Sequence, residues 1–324
     1  MTKNDRALHW SNHQERTVLW GMRFLFSVYR LLGRLPFLIV LGPVILFYWI
    51  SDRQLRHVSF DYLCRAYRCG LLQTQPSRWM TLRHLMFFAE TILDKMVALS
   101  GNTPQEAIRV DGEDHLARLV EAKRGGVVLT SHMGCIEALQ AYANHFRATP
   151  IYILVHTKHS QSFNRLLNEL NPLNHLKFIE VSDITPAFAF SMQEAIDAGA
   201  LLFIAGDRVP VHSQASVEVD FLGSKAAFPI GGPILAGLFH CPLVQMTCLR
   251  EKPKNLGRMK KHNRYRVRFQ LLSEAVKLDR RHRQASLAAL MALYAKELEW
   301  AISESPYDWF NFFPFWQSET NKTS

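Results

Sequence analysis

The sequence lacks the short motifs that mark the commonest hydrolytic and metal-dependent active sites. It has no H-E-x-x-H pair, no C-x-x-C and no G-x-S-x-G elbow; near Ser100, Ala98 stands where the first glycine of an elbow would be. The five cysteines are odd in number and mostly lie in apolar stretches, which favours reduced thiols over a disulfide framework or a zinc knuckle. We therefore expect neither a metal site nor a serine hydrolase.

The N-terminus also lacks the basic start and small-residue cleavage site of a secretory signal. Residues 35–51 instead form an uncharged run of seventeen, LPFLIVLGPVILFYWIS, at the lower limit of the roughly 17 to 25 residues that span a bilayer. Pro43 would kink a helix here, and Tyr48 and Trp49 are typical of the membrane–water interface. The run favours a monotopic or re-entrant membrane attachment, with a complete span and a buried core helix as alternatives.

Beyond residue 100, short apolar runs alternate with helix-like segments. The four clearest runs occupy residues 126–131, 151–156, 177–182 and 200–205. Such strands are typical of a mostly parallel sheet covered on both faces. Later strands, some antiparallel, are predicted at residues 217–221, 243–249 and 265–272, and a closing helix at 284–302. We predict an α/β fold: an αβα layered domain over residues 101–324, preceded by a helical, membrane-associating part over residues 1–100.

The end of the first run carries a candidate acid–base pair. Ligands of open α/β sheets bind beyond the carboxyl ends of the strands, and this run ends in TSHMGCIE. On one regular helix His132 and Glu137 would diverge by about 140°. With His132 in the turn and Glu137 in the helix, the carboxylate can bind one imidazole nitrogen and leave the other as a general base. This predicts a dyad whose substrate supplies the nucleophile; the alternative is a structural histidine beside a helix N-terminal carboxylate.

Two other strand ends predict groups that bind an anionic substrate. Asp207 and Arg208 follow the fourth run, where they form either a self-contained ion pair or an arginine facing the substrate with the aspartate orienting it; their position favours the second. Gly231 and Gly232 precede Pro233 at a predicted helix start, where backbone N–H groups can approach an oxyanion or phosphate. A plain turn is the alternative for the glycines.

One segment carries the whole formal charge of +10. Residues 250–283 hold thirteen Lys or Arg against three acidic residues, so the rest of the chain sums to zero. Such a segment suits an acidic carrier protein or an anionic leaflet, although a solvated charged loop is the plain alternative. Nucleic acid fits less well because no helix-turn-helix, finger or ribonucleoprotein motif accompanies the charge. We expect no nucleic-acid partner.

Together these blocks resemble those of a known family. The motifs SHMGCIE after an apolar strand, IAGDRV, FPIGGP and the aromatic tail YDWFNFF are similar to those of the lysophospholipid acyltransferase superfamily, specifically its lipid A late acyltransferase (lauroyl/myristoyl acyltransferase) branch. The resemblance covers residues 20 to 316. Two positions differ from that branch: Ser131 stands where it usually has Asn, and Arg208 where it often has Gln. In these two residues the sequence resembles more closely the relatives found with polyketide, aryl polyene or other envelope-lipid pathways.

The resemblance implies transfer of a fatty acyl group from an acyl carrier protein or coenzyme A thioester to a hydroxyl of a lipid or glycolipid. The reaction would take place at the cytoplasmic face of a bacterial inner membrane, an anionic surface, and would need no cofactor beyond the donor. His132 would be the base and Glu137 its partner, while Asp207 and Arg208 would bind the acceptor or stabilise the intermediate.

Two other functions fit the same sequence. An acyl-thioester hydrolase would use the same base with water as the acceptor. A non-catalytic basic adaptor for membranes or nucleic acid would rest on residues 250–283 alone.

Overall fold

The computed structural model describes most of the chain outside the extreme termini. The described residues are 21, 24–112, 124–142, 149–155, 176–180, 186–210, 215–251, 263–279 and 281–316. The pattern after the second apolar run predicts a helix at residues 160–170, which lie outside the described residues. The lysine-rich middle of the basic segment, residues 252–262, also lies outside them.

The described part alternates strands with helices as the apolar runs predict. The α-helices are α1 (Arg34–Ser51), α2 (Arg53–Arg68), α3 (Arg78–Leu99), α4 (Pro186–Asp197), α5 (Gly231–Leu238) and α6 (Arg283–Glu304), with 3-10 helices at Gln105–Ala107 and Ile136–Tyr142. The strands are β1 (Ile108–Asp111), β2 (Gly126–Thr130), β3 (Ile151–Val155), β4 (Leu176–Glu180), β5 (Leu201–Ala205), β6 (Ser216–Phe221), β7 (Ser224–Pro229), β8 (Leu243–Arg250) and β9 (Tyr265–Ser273).

Seven strands form one mostly parallel sheet in the order β1-β9-β8-β2-β5-β3-β4. Neighbouring strands run parallel except β8 and β9, which are antiparallel, and β6 and β7 form a separate hairpin. The predicted α/β class and the antiparallel pairing of some later strands are therefore confirmed. Strands β1 and β7 were not predicted, since four residues with two charges and a run containing Ser224 and Lys225 are weak strand signals.

Both faces of the sheet are covered, and β2 shows how. Its five residues are all buried, and successive side chains point to opposite faces. Val127 and Leu129 belong to the core that contains α6, whereas Val128 belongs to the core formed with the 3-10 helix after β2. This double covering is why the strands are apolar at consecutive positions.

Helix α1, which follows helical residues 24–32, lies antiparallel along α3. At its first residue, the Arg34 guanidinium contacts Glu90 at 2.7 Å and Asp94 at 2.8 Å; near its end, Trp49 Nε1 donates to Thr81 Oγ1 at 2.8 Å. The helix continues through Pro43. Among the described residues, α1 is the one helix long and apolar enough to cross a membrane, and little of it is buried.

Three arginines of the basic segment contact carboxylates of neighbouring helices. The Arg250 guanidinium contacts Glu90 at 3.1 Å, Arg266 contacts Glu304 at 2.6 Å and Arg268 contacts Glu297 at 3.5 Å. Part of the segment's charge therefore stabilises the contacts of β8 and β9 with α3 and α6.

Candidate active site

The site lies where β2 and β5 end side by side. The two strands are parallel neighbours with Thr130 opposite Ala205, and Gly206 N donates to Thr130 O at 2.8 Å. His132 follows β2 by two residues and Asp207 follows β5 by two residues. Because parallel strands end at the same edge of the sheet, these two side chains meet although they belong to separate motifs.

His132 and Asp207 form two hydrogen bonds. The backbone N–H of His132 donates to Asp207 Oδ2 at 2.8 Å, and the imidazole Nδ1 lies 2.8 Å from Oδ1. The Asp207 side chain is 3% exposed and that of His132 is 40% exposed. Since an ionised carboxylate only accepts, Nδ1 carries the proton in the neutral ring and Nε2 is the basic nitrogen.

The Asp207 carboxylate is stabilised in its ionised form. Burial opposes ionisation, but the charge of a protonated His132 and the hydrogen bonds from His132 and Trp309 outweigh it and lower the pKa of Asp207. The Trp309 indole Nε1 donates to Oδ2 at 3.0 Å. The carboxylate therefore remains available to orient the imidazole and to stabilise an imidazolium.

Glu137 does not form the predicted hydrogen bond with His132 in the structure. It stands in the first turn of the 3-10 helix after β2, and its Oε1 lies 3.0 Å from Lys95 Nζ of α3. Its other oxygen is 3.9 Å from the Cys135 thiol. The structure therefore pairs His132 with Asp207 and not with Glu137. The imidazole Nδ1 is bound by Asp207, which follows the adjacent strand, while Glu137 is held against α3.

The C-terminal tail, residues 307–313, closes one side of the site. Phe310 N donates to His132 O at 2.8 Å and Gly134 N donates to Asp308 O at 2.9 Å, so the tail pairs with the His132 turn as a short antiparallel bridge. Gly134 has φ of +59°, and a Cβ there would lie 2.2 Å from Cys248 O. The turn therefore needs glycine both for its backbone conformation and for space.

Arg208 stands at the rim of the site and is exposed. Its guanidinium lies 4.6 Å from the centre of the Phe313 ring, and one of its nitrogens is 3.5 Å from Phe310 O. It does not form a self-contained pair with Asp207, which is occupied by His132 and Trp309. Contacts with the tail thus hold the guanidinium at the site, in a position to contact an anionic group.

The two glycines lie at the start of α5, which covers the sheet beside the site. A Cβ on Gly232 would lie 2.3 Å from Leu129 Cδ2 and 3.1 Å from Ile204 Cγ2, both on strands that carry the site. Gly231 is less restricted, with Ile204 Cδ1 at 3.8 Å. The structure gives Gly232 a packing role, and binding of an oxyanion by the two glycines stays a prediction. Within the described ranges, no three His, Cys, Asp or Glu are grouped so as to hold a metal ion.

A model of the bacterial lipid A biosynthesis acyltransferases matches residues 72–318, the greater part of the chain and all of this site. The chain belongs to that family. It is accordingly a lipid acyltransferase, and the resemblance seen in its motifs is confirmed. No curated protein sequence matches it significantly.

Among solved structures, the acyltransferase is similar to the 1-acyl-sn-glycerophosphate (LPA) acyltransferase PlsC from Thermotoga maritima. The identity is 11%, the match covers 80% of this chain and 97% of that chain, and the TM-score is 0.32. A likeness this distant adds nothing to the assignment of the site.

Sequence reasoning missed two features of the acyltransferase site. Asp207 was expected to orient Arg208, whereas it binds His132. The sequence patterns assign no role to Trp309, whose indole donates to Asp207. Its only signal in the sequence is its place in an aromatic tail, because nothing local indicates that the indole reaches the end of β5.

Proposed function

We propose that this lipid acyltransferase moves a fatty acyl group from an acyl carrier protein or coenzyme A thioester to a hydroxyl of a lipid or glycolipid precursor. His132 is the general base. The observation that supports this role is its imidazole, which is bound at Nδ1 by a buried carboxylate while the side chain remains 40% exposed. A base oriented in this way needs an acceptor that supplies the nucleophile.

The proposed reaction needs no covalent enzyme intermediate. The acceptor oxygen attacks the thioester carbonyl carbon while its proton passes to His132 Nε2, and Asp207 stabilises the resulting imidazolium. The tetrahedral intermediate then collapses, the C–S bond breaks, and Nε2 returns the proton to the leaving thiolate. The sulfur leaves readily because a thiol is a much stronger acid than an alcohol.

The charged groups around the base suggest where the substrates bind. We assign Arg208 to an anionic group of the acceptor or donor, since the residue follows Asp207 directly and contact with the Phe313 ring fixes its guanidinium. Gly231 and Gly232 remain candidates for the oxyanion through their backbone N–H groups at the start of α5. In this proposal Glu137 has a structural role: its ion pair with Lys95 holds the segment after His132 against α3.

The acyltransferase is proposed to bind an anionic cytoplasmic leaflet of a bacterial inner membrane through α1. The face of α1 away from α3 exposes apolar side chains, including Ile39, Phe47 and Ile50. At its end Trp49 stacks on Trp79 at 5.5 Å, and the Arg56 guanidinium lies 5.6 Å from the centre of the Trp49 ring, as interfacial anchors do.

We favour an in-plane position of α1 over a span. The helix is about 27 Å long and is tied at both ends to α3. If α1 crossed the bilayer, α3 would lie in the hydrocarbon with it. Yet the buried His84 of α3 binds Trp309 O, next to the catalytic pair. An upright α1 would thus carry the polar site into the bilayer core, at a high cost in desolvation.

Mass spectrometry of lipids tests the proposed function. Detergent-purified protein is incubated with lauroyl- and myristoyl-thioesters of acyl carrier protein and coenzyme A and with an inner-membrane lipid extract. We expect a new acylated lipid with the wild type and none with His132→Ala. His282→Ala is a matched control, because His282 Nδ1 also lies 3.0 Å from a carboxylate, Asp279, but on the surface before α6.

The outcomes separate the alternatives. Free fatty acid as the sole product, with lipid extract present, would favour the thioester hydrolase. Salt-dependent binding to anionic vesicles or duplex without thioester consumption would favour the adaptor. Transfer that survives His132→Ala would overturn the role of the base.

A further inference from the structure

The C-terminal tail supplies a contact to the catalytic pair from a distant part of the chain. Asp207 Oδ2 accepts from two donors, His132 N at 2.8 Å and Trp309 Nε1 at 3.0 Å, while Oδ1 faces the imidazole. The carboxylate is thus held by two hydrogen bonds from His132 and one from the tail. Only the donor from the tail is a side chain that can be changed without changing the imidazole.

Trp309 is itself held rigidly. It is 1% exposed, and its ring makes edge contacts with Tyr62, Phe221 and Phe315 at centroid distances of 5.0 to 5.3 Å. Its backbone carbonyl accepts from His84 at 2.8 Å. Its preceding residue, Asp308, accepts from Arg250 N at 2.6 Å and from Ser305 Oγ at 2.7 Å.

We propose that Trp309 is a positioning residue of the active site, which fixes the Asp207 carboxylate so that it holds the His132 imidazole in its productive orientation. This inference rests on the proposed role of His132. The tail around Trp309 serves as the support: it pairs with the His132 turn through its backbone and reaches Asp207 through the indole. The site is therefore complete only when residues 307–311 are docked.

The indole N–H has an electrostatic consequence for the base. A donor on Oδ2 disperses the negative charge of Asp207, so its removal leaves a more basic carboxylate beside the imidazole. A more basic carboxylate stabilises the imidazolium and raises the pH at which His132 loses its proton. It also loosens the carboxylate, which lowers the rate of the chemical step without changing substrate binding.

The experiment compares Trp309→Phe with Trp316→Phe. Trp316 belongs to the same aromatic cluster, 6.2 Å from Trp309, but its indole donates to Phe221 O at 3.3 Å and not to the catalytic pair. Both variants lose one indole N–H and part of the same aromatic cluster. The first readout is carbethoxylation of His132 by diethyl pyrocarbonate as a function of pH, followed by peptide mass spectrometry. This readout requires no acceptor and no turnover.

We expect the pH midpoint of His132 modification to rise in Trp309→Phe and to stay at the wild-type value in Trp316→Phe. In the transfer assay we expect kcat of Trp309→Phe to fall about tenfold with KM for the thioester unchanged. An unchanged or lowered midpoint, or a change that Trp316→Phe shares, would overturn the proposal. Because the modification experiment needs no turnover, it tests the role of Trp309 even if the wild type has another activity.

A second variant removes dependence on packing. Trp309 replaced by β-(3-benzothienyl)alanine keeps the two fused rings and lacks only the N–H. If Trp309→Phe unfolds, the same midpoint and kcat shifts are expected in this variant. Wild-type values of both in a folded benzothienyl variant would show that the tail acts through packing alone.

Discussion

His132 and Asp207 are separated by 75 positions in the sequence and joined by two hydrogen bonds of 2.8 Å, one from the backbone N–H and one at the imidazole Nδ1. A backbone bond fixes where the turn lies relative to the carboxylate, and the side-chain bond fixes the ring. Together they define which nitrogen faces the substrate.

Replacing the carboxylate that binds the ring should therefore cost far more than replacing the one that is nearer in sequence. In Asp207→Asn the amide can present an N–H to Nδ1 and select the wrong tautomer, so we expect kcat to fall about a thousandfold. Glu137→Gln retains a polar partner for Lys95 and should lose less than about tenfold. Steady-state kinetics of the two variants decide between the carboxylates. The reverse ranking would restore the His132–Glu137 dyad.

His84 makes the stability of the fold depend on pH. It is buried between Ser59 Oγ at 2.9 Å and Trp309 O at 2.8 Å, and burial lowers its pKa to about 4. The unfolded chain has a histidine pKa of about 6.5 and binds the proton first, so the free energy of unfolding should fall by about 3 kcal/mol between pH 6.5 and pH 4. Denaturant midpoints measured across this range for the wild type and His84→Gln test this. An identical pH dependence in both proteins would contradict it.

Gly134 should tolerate no side chain. Gly134→Ala meets Cys248 O at 2.2 Å in addition to a positive φ, and we expect a loss of more than about 3 kcal/mol in the free energy of unfolding, together with loss of activity. Gly70→Ala is the control, because Gly70 has φ of +73° and nothing within 4 Å. Its strain alone should cost about 1 kcal/mol. Thermal unfolding in detergent measures both, and equal losses would exclude a role for the Cys248 contact.

The outer face of α1 should determine membrane binding. Phe47→Asp places a charge on the apolar face and should lower the partition coefficient onto vesicles with an anionic lipid fraction by about tenfold or more. Phe190→Asp is the matched control, since Phe190 on α4 is 76% exposed but lies outside the proposed membrane face. Vesicle sedimentation measures both variants. Equal losses would place the membrane contact elsewhere.

The sequence by itself determined the fold class and the position of His132, the proposed base. Buried strands must be apolar at consecutive positions when helices cover both faces of a sheet, and β2 and β5 therefore stand out as apolar runs. His132 was placed correctly at the end of β2 for the same reason. Membership of the acyltransferase family was also readable, because its motifs stand at the ends of these runs.

Only the tertiary structure decided which groups surround His132. Along the chain, β3 and β4 separate β2 from β5, yet in the sheet β5 is the direct neighbour of β2. Nothing in the local sequence pattern specifies this order. That placement brings Asp207 to His132, and the docking of the tail brings Trp309 to Asp207. Glu137, five residues away, is instead held by Lys95 of α3. Periodicity reports which faces are buried, whereas partners across strands are selected by the packing of the whole chain.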